Sequence, residues 1–333
     1  LGGGDSVGTR RRKGLGYVGM ADGGLRSEGF CKKRLDGKIG LRTGGGSGSN
    51  LSSAKRFAEH GAKVALIGRT REKLDSAAKE IRDSGGVASG YPADVRDYDA
   101  LAGAIKGARD AYGEIDLVVC GAAGNFPAPA FGMSANAFKS VVDIDLLGTF
   151  NTCRSVFEHL KRPGASIINI SATQAFIPMP MQAHVCAAKA GVDMLTKCLA
   201  IEWGAEGVRV NSIAPGAVDE TEGMRRLAPT PEIRKQIERV IPLHRFATKD
   251  EIADLALFLS SDAANFITGA IVVCDGGQSL AGLGARMMAA MRPRSRGQSA
   301  GSQFSAARIL ARAPRTRQPR ALSAASTLTG GQD

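Results

Sequence analysis

The stretch KIGLRTGGGSGSN, residues 38–50, decides the fold. A short apolar run, KIGL, leads into a turn with glycine at 44, 45, 46 and 48, and residues 49–60 then read as a helix. In that order, glycines let backbone amides approach a phosphate, and the helix N-terminus favours its negative charge. A glycine-rich turn alone is weak evidence, but its place between a first strand and a helix makes it specific. Gly44, Ser47, Gly48 and Ser49 are therefore candidate phosphate-cradle residues.

The same alternation continues downstream. Strand candidates are KVALIG at 63–68, VASGY at 87–91 (the weakest), LVVC at 117–120, SIINI at 166–170, RVNSIA at 209–214 and AIVVC at 270–274. Helical patterns fall at 71–83, 97–112, 134–160, 183–203 and 249–261. This predicts an α/β fold: a Rossmann-like, doubly wound parallel sheet of about seven strands with helices on both faces. Residues 217–247 interrupt the alternation beyond a strand's carboxyl end, a place suited to a substrate lid.

The formal charge of +12 looks like a nucleic-acid signal, but its distribution says otherwise. Residues 1–36 carry a net +4 and residues 281–333 a net +8, so 37–280 balances. The expected organisation is a basic Gly-rich extension over 1–36, one domain over 37–280 and an Arg/Ser-rich tail over 281–333, both ends lacking apolar periodicity. A nucleic-acid partner is not expected for the balanced core. No apolar run approaches the roughly 20 residues of a membrane span, and no secretory leader is visible. The six cysteines form no CxxC pair, and Cys120, Cys186, Cys198 and Cys274, all in apolar segments, read as reduced core residues. The four histidines lack ligand spacing, so no metal is expected. A cytoplasmic location fits these features, with no Ser-Lys-Leu-like ending for peroxisomal import.

With these motifs in order, residues 37–280 resemble the short-chain dehydrogenase/reductase family. Thr43, Gly44 and Gly48 match its TGxxxGxG fingerprint, while Asn50 stands at the last glycine and Arg42 replaces an apolar residue of the first strand. The resemblance implies a nicotinamide cofactor. Asp94 and Val95 match the adenine-contacting pair, and CGAAG at 120–124 takes the place of the stretch after the fourth strand, with Ala122 a cofactor contact. NSIAPG at 211–216 matches the turn beside the nicotinamide, implying contacts from Pro215, Gly216, Val218 and Thr221. Arg69 follows the second strand where an acid would hold the ribose hydroxyls of NADH. A cation there favours the 2′-phosphate of NADPH.

Ordinary members use Asn, Ser, Tyr and Lys. Here Lys189 matches the lysine, but Val185 occupies the Tyr position, Ala172 the Ser position and Asp145 the Asn position. An alkoxide from ketone reduction needs a positioned proton donor, which valine and alanine cannot be. Hydride addition to a conjugated thioester leaves a less basic enolate, which needs mainly a stabilising dipole or cation. Residues 122–151, 184–204 and 215–227 resemble the peroxisomal-type 2,4-dienoyl-CoA reductases, in which an Asp–Lys pair replaces the tyrosine. That resemblance implies Asp145 and Lys189 as catalytic residues, an acyl-CoA substrate, and a homo-oligomer, tetramer or dimer. Asn125, Phe126 and His184 are candidate contacts to the acyl chain or thioester. Arg225, with Arg226, is the candidate for the CoA phosphates. Two other readings remain: a short-chain oxidoreductase for a different carbonyl or conjugated substrate, and a non-catalytic dinucleotide-binding protein.

Overall fold

The structure is a computed structural model and describes residues 34–282. Nearly all of both expected tails lies outside the described residues. Seven strands, β1 (Ile39–Thr43), β2 (Lys63–Gly68), β3 (Val87–Pro92), β4 (Leu117–Cys120), β5 (Ser166–Ile170), β6 (Arg209–Pro215) and β7 (Ile271–Cys274), form one parallel sheet. The order is β3-β2-β1-β4-β5-β6-β7. Between the strands run α1 (Gly48–Glu59), α2 (Arg71–Asp83), α3 (Tyr98–Tyr112), α4 (Ala135–Val142), α5 (Gly148–Val156), α6 (Ala183–Trp203), α7 (Glu222–Leu227), α8 (Pro231–Val240) and α9 (Lys249–Ser260).

Side chains alternate across each strand, so each face of the sheet builds its own core. Phe57 of α1, Leu74 and Ile81 of α2 and Ile252 and Leu257 of α9 pack with Leu66, Val119 and Ile168. On the other face Leu101 and Ile105 of α3, Val156 of α5 and Leu199 of α6 pack with Leu41, Ile67, Val118 and Ile167. The chain winds outward in opposite directions from β1 and β4, which opens a crevice at their carboxyl ends. Thr43 ties that edge together, its hydroxyl oxygen accepting from the amides of Gly121 (3.1 Å) and Ala122 (3.4 Å).

Three expectations change. The single helix read over 134–160 is broken: α4 passes into a π turn, Asp143–Leu147, before α5 begins. The chain runs hard against the β3–α3 loop there. A Cβ on Gly148 would stand 2.5 Å from Val95 Cγ2, and Asn151 Nδ2 donates to Val95 O at 2.9 Å. The hydroxyls of Thr149, Thr152 and Ser155 bond back to the carbonyls of Asp145, Gly148 and Asn151, which bends helices. Next, Cys198 is exposed, because α6 turns that position outward beside Lys197. Cys186 and Cys274 are only partly covered.

Arg42 is the third. The sequence puts a charge where the strand calls for an apolar residue, and the fold buries it completely. Its guanidinium carbon lies 5.2 Å from the centre of the Phe57 ring. None of its three nitrogens has a hydrogen-bond partner among the described residues. Desolvation pulls its pKa down to about 9, with nearby Cys120 acting in the opposite direction.

Candidate active site

A cleft of about 1200 Å³, including its open mouth, lies at the crevice. Its cavity proper, about 390 Å³, lies within the 300–1,000 Å³ typical of small-molecule pockets. Gly44, Ser47, Gly48, Ser49, Arg69, Asp94, Val95, Ala122 and Thr221 all line it. Gly44 has φ +68°, and a Cβ there would stand 2.9 Å from Gly121 O, so only glycine fits the turn. Arg69 makes no hydrogen bond or ion pair with the described residues, leaving its guanidinium available to an anion. Lys73, one turn into α2, lines the same wall. Asp94 is held by Arg96 through Nε–Oδ1 (3.0 Å) and Nη2–Oδ2 (2.6 Å) contacts. That pairing, more than Asp94's partial burial opposes it, keeps the carboxyl below its ordinary range. Pro215 ends β6, Gly216 donates to Cys274 O, and Val218 is buried in the core, so these three do not line the cleft.

Asn50 takes the place of a glycine by leaning on another one. Its Nδ2 donates to Gly121 O at 2.7 Å. A Cβ built on Gly121 would stand 2.1 Å from Asn50 Oδ1 and 2.5 Å from its Cγ. Gly121→Ala should therefore force Asn50 out of the turn and weaken binding of the reduced cofactor at least tenfold. The double change Asn50→Gly with Gly121→Ala should recover most of the loss, as coupled neighbours do. Fluorescence titration of the parent, both single variants and the double variant checks this, and equal affinities for Gly121→Ala and the parent would refute it.

Asp145 and Lys189 meet. Lys189 Nζ lies 3.1 Å from Asp145 Oδ2, with the side chains 6% and 1% exposed. The ammonium donates to Ile170 O at 2.8 Å, at the carboxyl end of β5. The carboxylate contact lacks hydrogen-bond alignment, so Asp145 Oδ2 stays free as an acceptor. Asp145 Oδ1 accepts from the Gly124 amide at 2.6 Å. Three elements thus fix the pair: the π turn carries the acid, α6 carries the lysine, and the loop after β4 clamps the carboxylate. Val185 is buried and Ala172 bears no polar group. Ser171, beside the missing serine, is buried next to Asp193, whose carboxyl burial pushes up while Ser171 and Ser212 oppose.

The loop clamping Asp145 continues into the other candidates. Phe126 meets the His184 ring edge-on, centroids 4.5 Å apart. His184 is fully buried. Asn125 Nδ2 reaches Gln182 Oε1 at 3.5 Å, and Gln174 Nε2 reaches the same oxygen at 3.2 Å. The lid brings in Arg226 on this side, where Nη1 donates to Asn125 O at 3.2 Å. Arg225 turns away, to Glu222 and the Glu220 carbonyl, beside a second pocket with Asp219 and Phe246. Sequence reading missed Lys73, the Gly124 amide and the Gln174–Gln182 contact. Only the first carries a local signal, a cation one turn after Arg69.

A parallel sheet with a glycine cradle, a free cation beside it and a buried Lys–carboxylate pair at the switch point defines a nicotinamide-dinucleotide oxidoreductase. A family model described as enoyl-(acyl carrier protein) reductase matches residues 47–279. The chain belongs to the short-chain dehydrogenase/reductase family. It is 41% identical over 261 residues to the peroxisomal 2,4-dienoyl-CoA reductase SPS19 of Saccharomyces cerevisiae, covering 77% of this chain and 89% of that protein. It is 42% identical over 250 residues to the peroxisomal 2,4-dienoyl-CoA reductase of Rattus norvegicus, covering 74% and 86%. Among solved structures, a gluconate 5-dehydrogenase from Burkholderia cenocepacia in complex with NADP and tartrate is 31% identical with a TM-score of 0.70, over 75% of this chain and 98% of that one.

Proposed function

We propose that the protein reduces a 2,4-dienoyl-CoA, or a related enoyl thioester, with NADPH, in the β-oxidation of unsaturated fatty acids. The observation that carries this reading is the buried Asp145–Lys189 pair standing where the hydroxyl-bearing positions hold Val185 and Ala172. Such a site has no hydroxyl acid for an alkoxide, but it has fixed charge for an enolate. Relatives of about 40% identity that carry the dienoyl reductase name support the substrate class.

The bound cofactor supplies the hydride. The chain's own residues position and stabilise. Lys189 uses one of its three donors on Ile170 O and rests against Asp145, which leaves donor capacity for the cofactor ribose hydroxyls. Asp145 keeps the ammonium in place and is itself fixed by the Gly124 amide. Asn125, Phe126 and His184 form the acyl side, and Arg226 of α7, which reaches the Asn125 carbonyl, supplies a cation for the CoA phosphates. Exposed Phe150 and Ile201, on α5 and α6, support an interface between copies and hence a homo-oligomer. We keep the cytoplasm as the working compartment.

Turnover of NADPH by the full chain with a medium-chain 2,4-dienoyl-CoA tests the reading. The absence of reduction of any dienoyl or enoyl thioester would end it. NADPH preference rests on Arg69, with Lys73 as a second cation. Arg69→Ser should lower kcat/KM for NADPH about 10- to 100-fold, the worth of one or two charge-assisted hydrogen bonds. The value for NADH should stay within a few-fold, and an equal loss with both cofactors would remove Arg69 from phosphate recognition.

A further inference from the structure

Near the Asp145–Lys189 pair, Asn125 Oδ1 and both ring nitrogens of His184 are buried with no hydrogen-bond partner among the described residues. Buried polar groups normally find a partner, so each exception calls for a reason. His184 is the strongest case. It is fully buried, and whichever nitrogen carries the proton, a neutral imidazole has one donor and one acceptor to satisfy. Its neighbours on α6, Val185 and Ala188, show that apolar residues fit this wall. Phe126 packs edge-on against the ring and fixes its plane, but offers it no hydrogen bond.

Position supplies the second argument. His184 precedes Lys189 by five residues on α6, an axial offset of about 7.5 Å and a rotation of about 140° around the helix, so it is the loop after β4 that joins the two positions. The four bonds from the thioester carbon to the far carbon of a conjugated diene span about 5 Å, a carbonyl oxygen reaching further. A substrate laid along that loop, with its far carbon beside the cofactor near Lys189, brings its carbonyl toward His184. Gly124, Asn125 and Phe126 run along the same path, from Asp145 to His184.

Resting on the reductase reading above, we propose that His184 is a catalytic residue: one ring nitrogen donates a hydrogen bond to the thioester carbonyl oxygen. That oxygen gains negative charge as hydride reaches the far carbon, so the bond strengthens in the transition state. Phe126 covers the imidazole in the free protein and must turn aside to admit the thioester.

The test uses the full chain with His184→Phe and His184→Gln. Phenylalanine should lower kcat at least 30-fold with KM changed less than threefold, and leave Tm unchanged or higher, because two unpaired polar atoms are removed. Glutamine, which retains a donor, should recover part of kcat. Independently, hexanoyl-CoA added to the oxidised-cofactor complex should shift one histidine ring N–H resonance that His184→Phe lacks. A His184→Phe protein with kcat within threefold of the parent, or a parent with no ring shift, overturns the inference. Should His184→Phe fail to fold, the glutamine kinetics and the parent's ring shift decide. A ring shift in a parent that reduces no dienoyl thioester would sink the reductase reading while keeping His184 as a thioester contact.

Discussion

Lys189→Ala should lower kcat/KM for a dienoyl thioester about 10²- to 10³-fold, the usual loss when one positioned electrostatic group is removed from an acyl site. Asp145→Ala should do comparable damage by a different route. It leaves a lysine that is 6% exposed with only the Ile170 carbonyl as partner. Breaking one side of a buried pair typically costs about 3–5 kcal/mol, so Asp145→Ala should also lose stability on that scale. The double change should cost less stability than the sum of the singles, because no charge is then stranded. Steady-state kinetics and urea unfolding of the three variants check this. If Asp145→Ala retains activity within tenfold, the carboxylate is only structural.

Arg42→Met should stabilise the protein by about 1–4 kcal/mol, the range seen when buried ionic groups give way to well-packed apolar ones. A pKa pulled down to about 9 by burial corresponds to an unfavourable term on the order of 5 kcal/mol at neutral pH. Methionine also fills space against Phe57 without a donor to satisfy. The pH dependence has a definite sign. Below about pH 9 Arg42 is charged in both states, and the burial penalty is complete. Above that pH the folded state releases the proton while the unfolded chain keeps it, so stability rises with pH. The advantage of Arg42→Met should therefore shrink between roughly pH 9 and 11. Urea midpoints of both proteins across that window are the measurement, and a variant that is less stable at pH 7 would refute the argument.

The fold was legible because its signals are local and repeated. Each strand is a short apolar run, and the Gly44–Gly48 turn falls between the first strand and helix. Even the weakest run, 87–91, forms the edge strand β3. The pairing of Asp145 with Lys189 was readable only by resemblance, since the two lie 44 residues apart and meet through the π turn. Hydrophobic periodicity passes smoothly from α4 into α5, which hid that break. The outward turn of Arg225, the inward reach of Arg226 and the burial of His184 depend on how α7 and the loop after β4 pack together. No spacing in the chain encodes those orientations.

The contact between Asn50 and Gly121 also has a history written into it. A chain with glycine at 121 accepts either glycine or asparagine at 50. A chain with asparagine at 50 accepts a side chain at 121 only by moving Asn50, whose nearest atom would be 2.1 Å from a Cβ, out of its bond to the Gly121 carbonyl. The two positions therefore do not drift independently: a change at 121 costs more while asparagine stands at 50 than while glycine does.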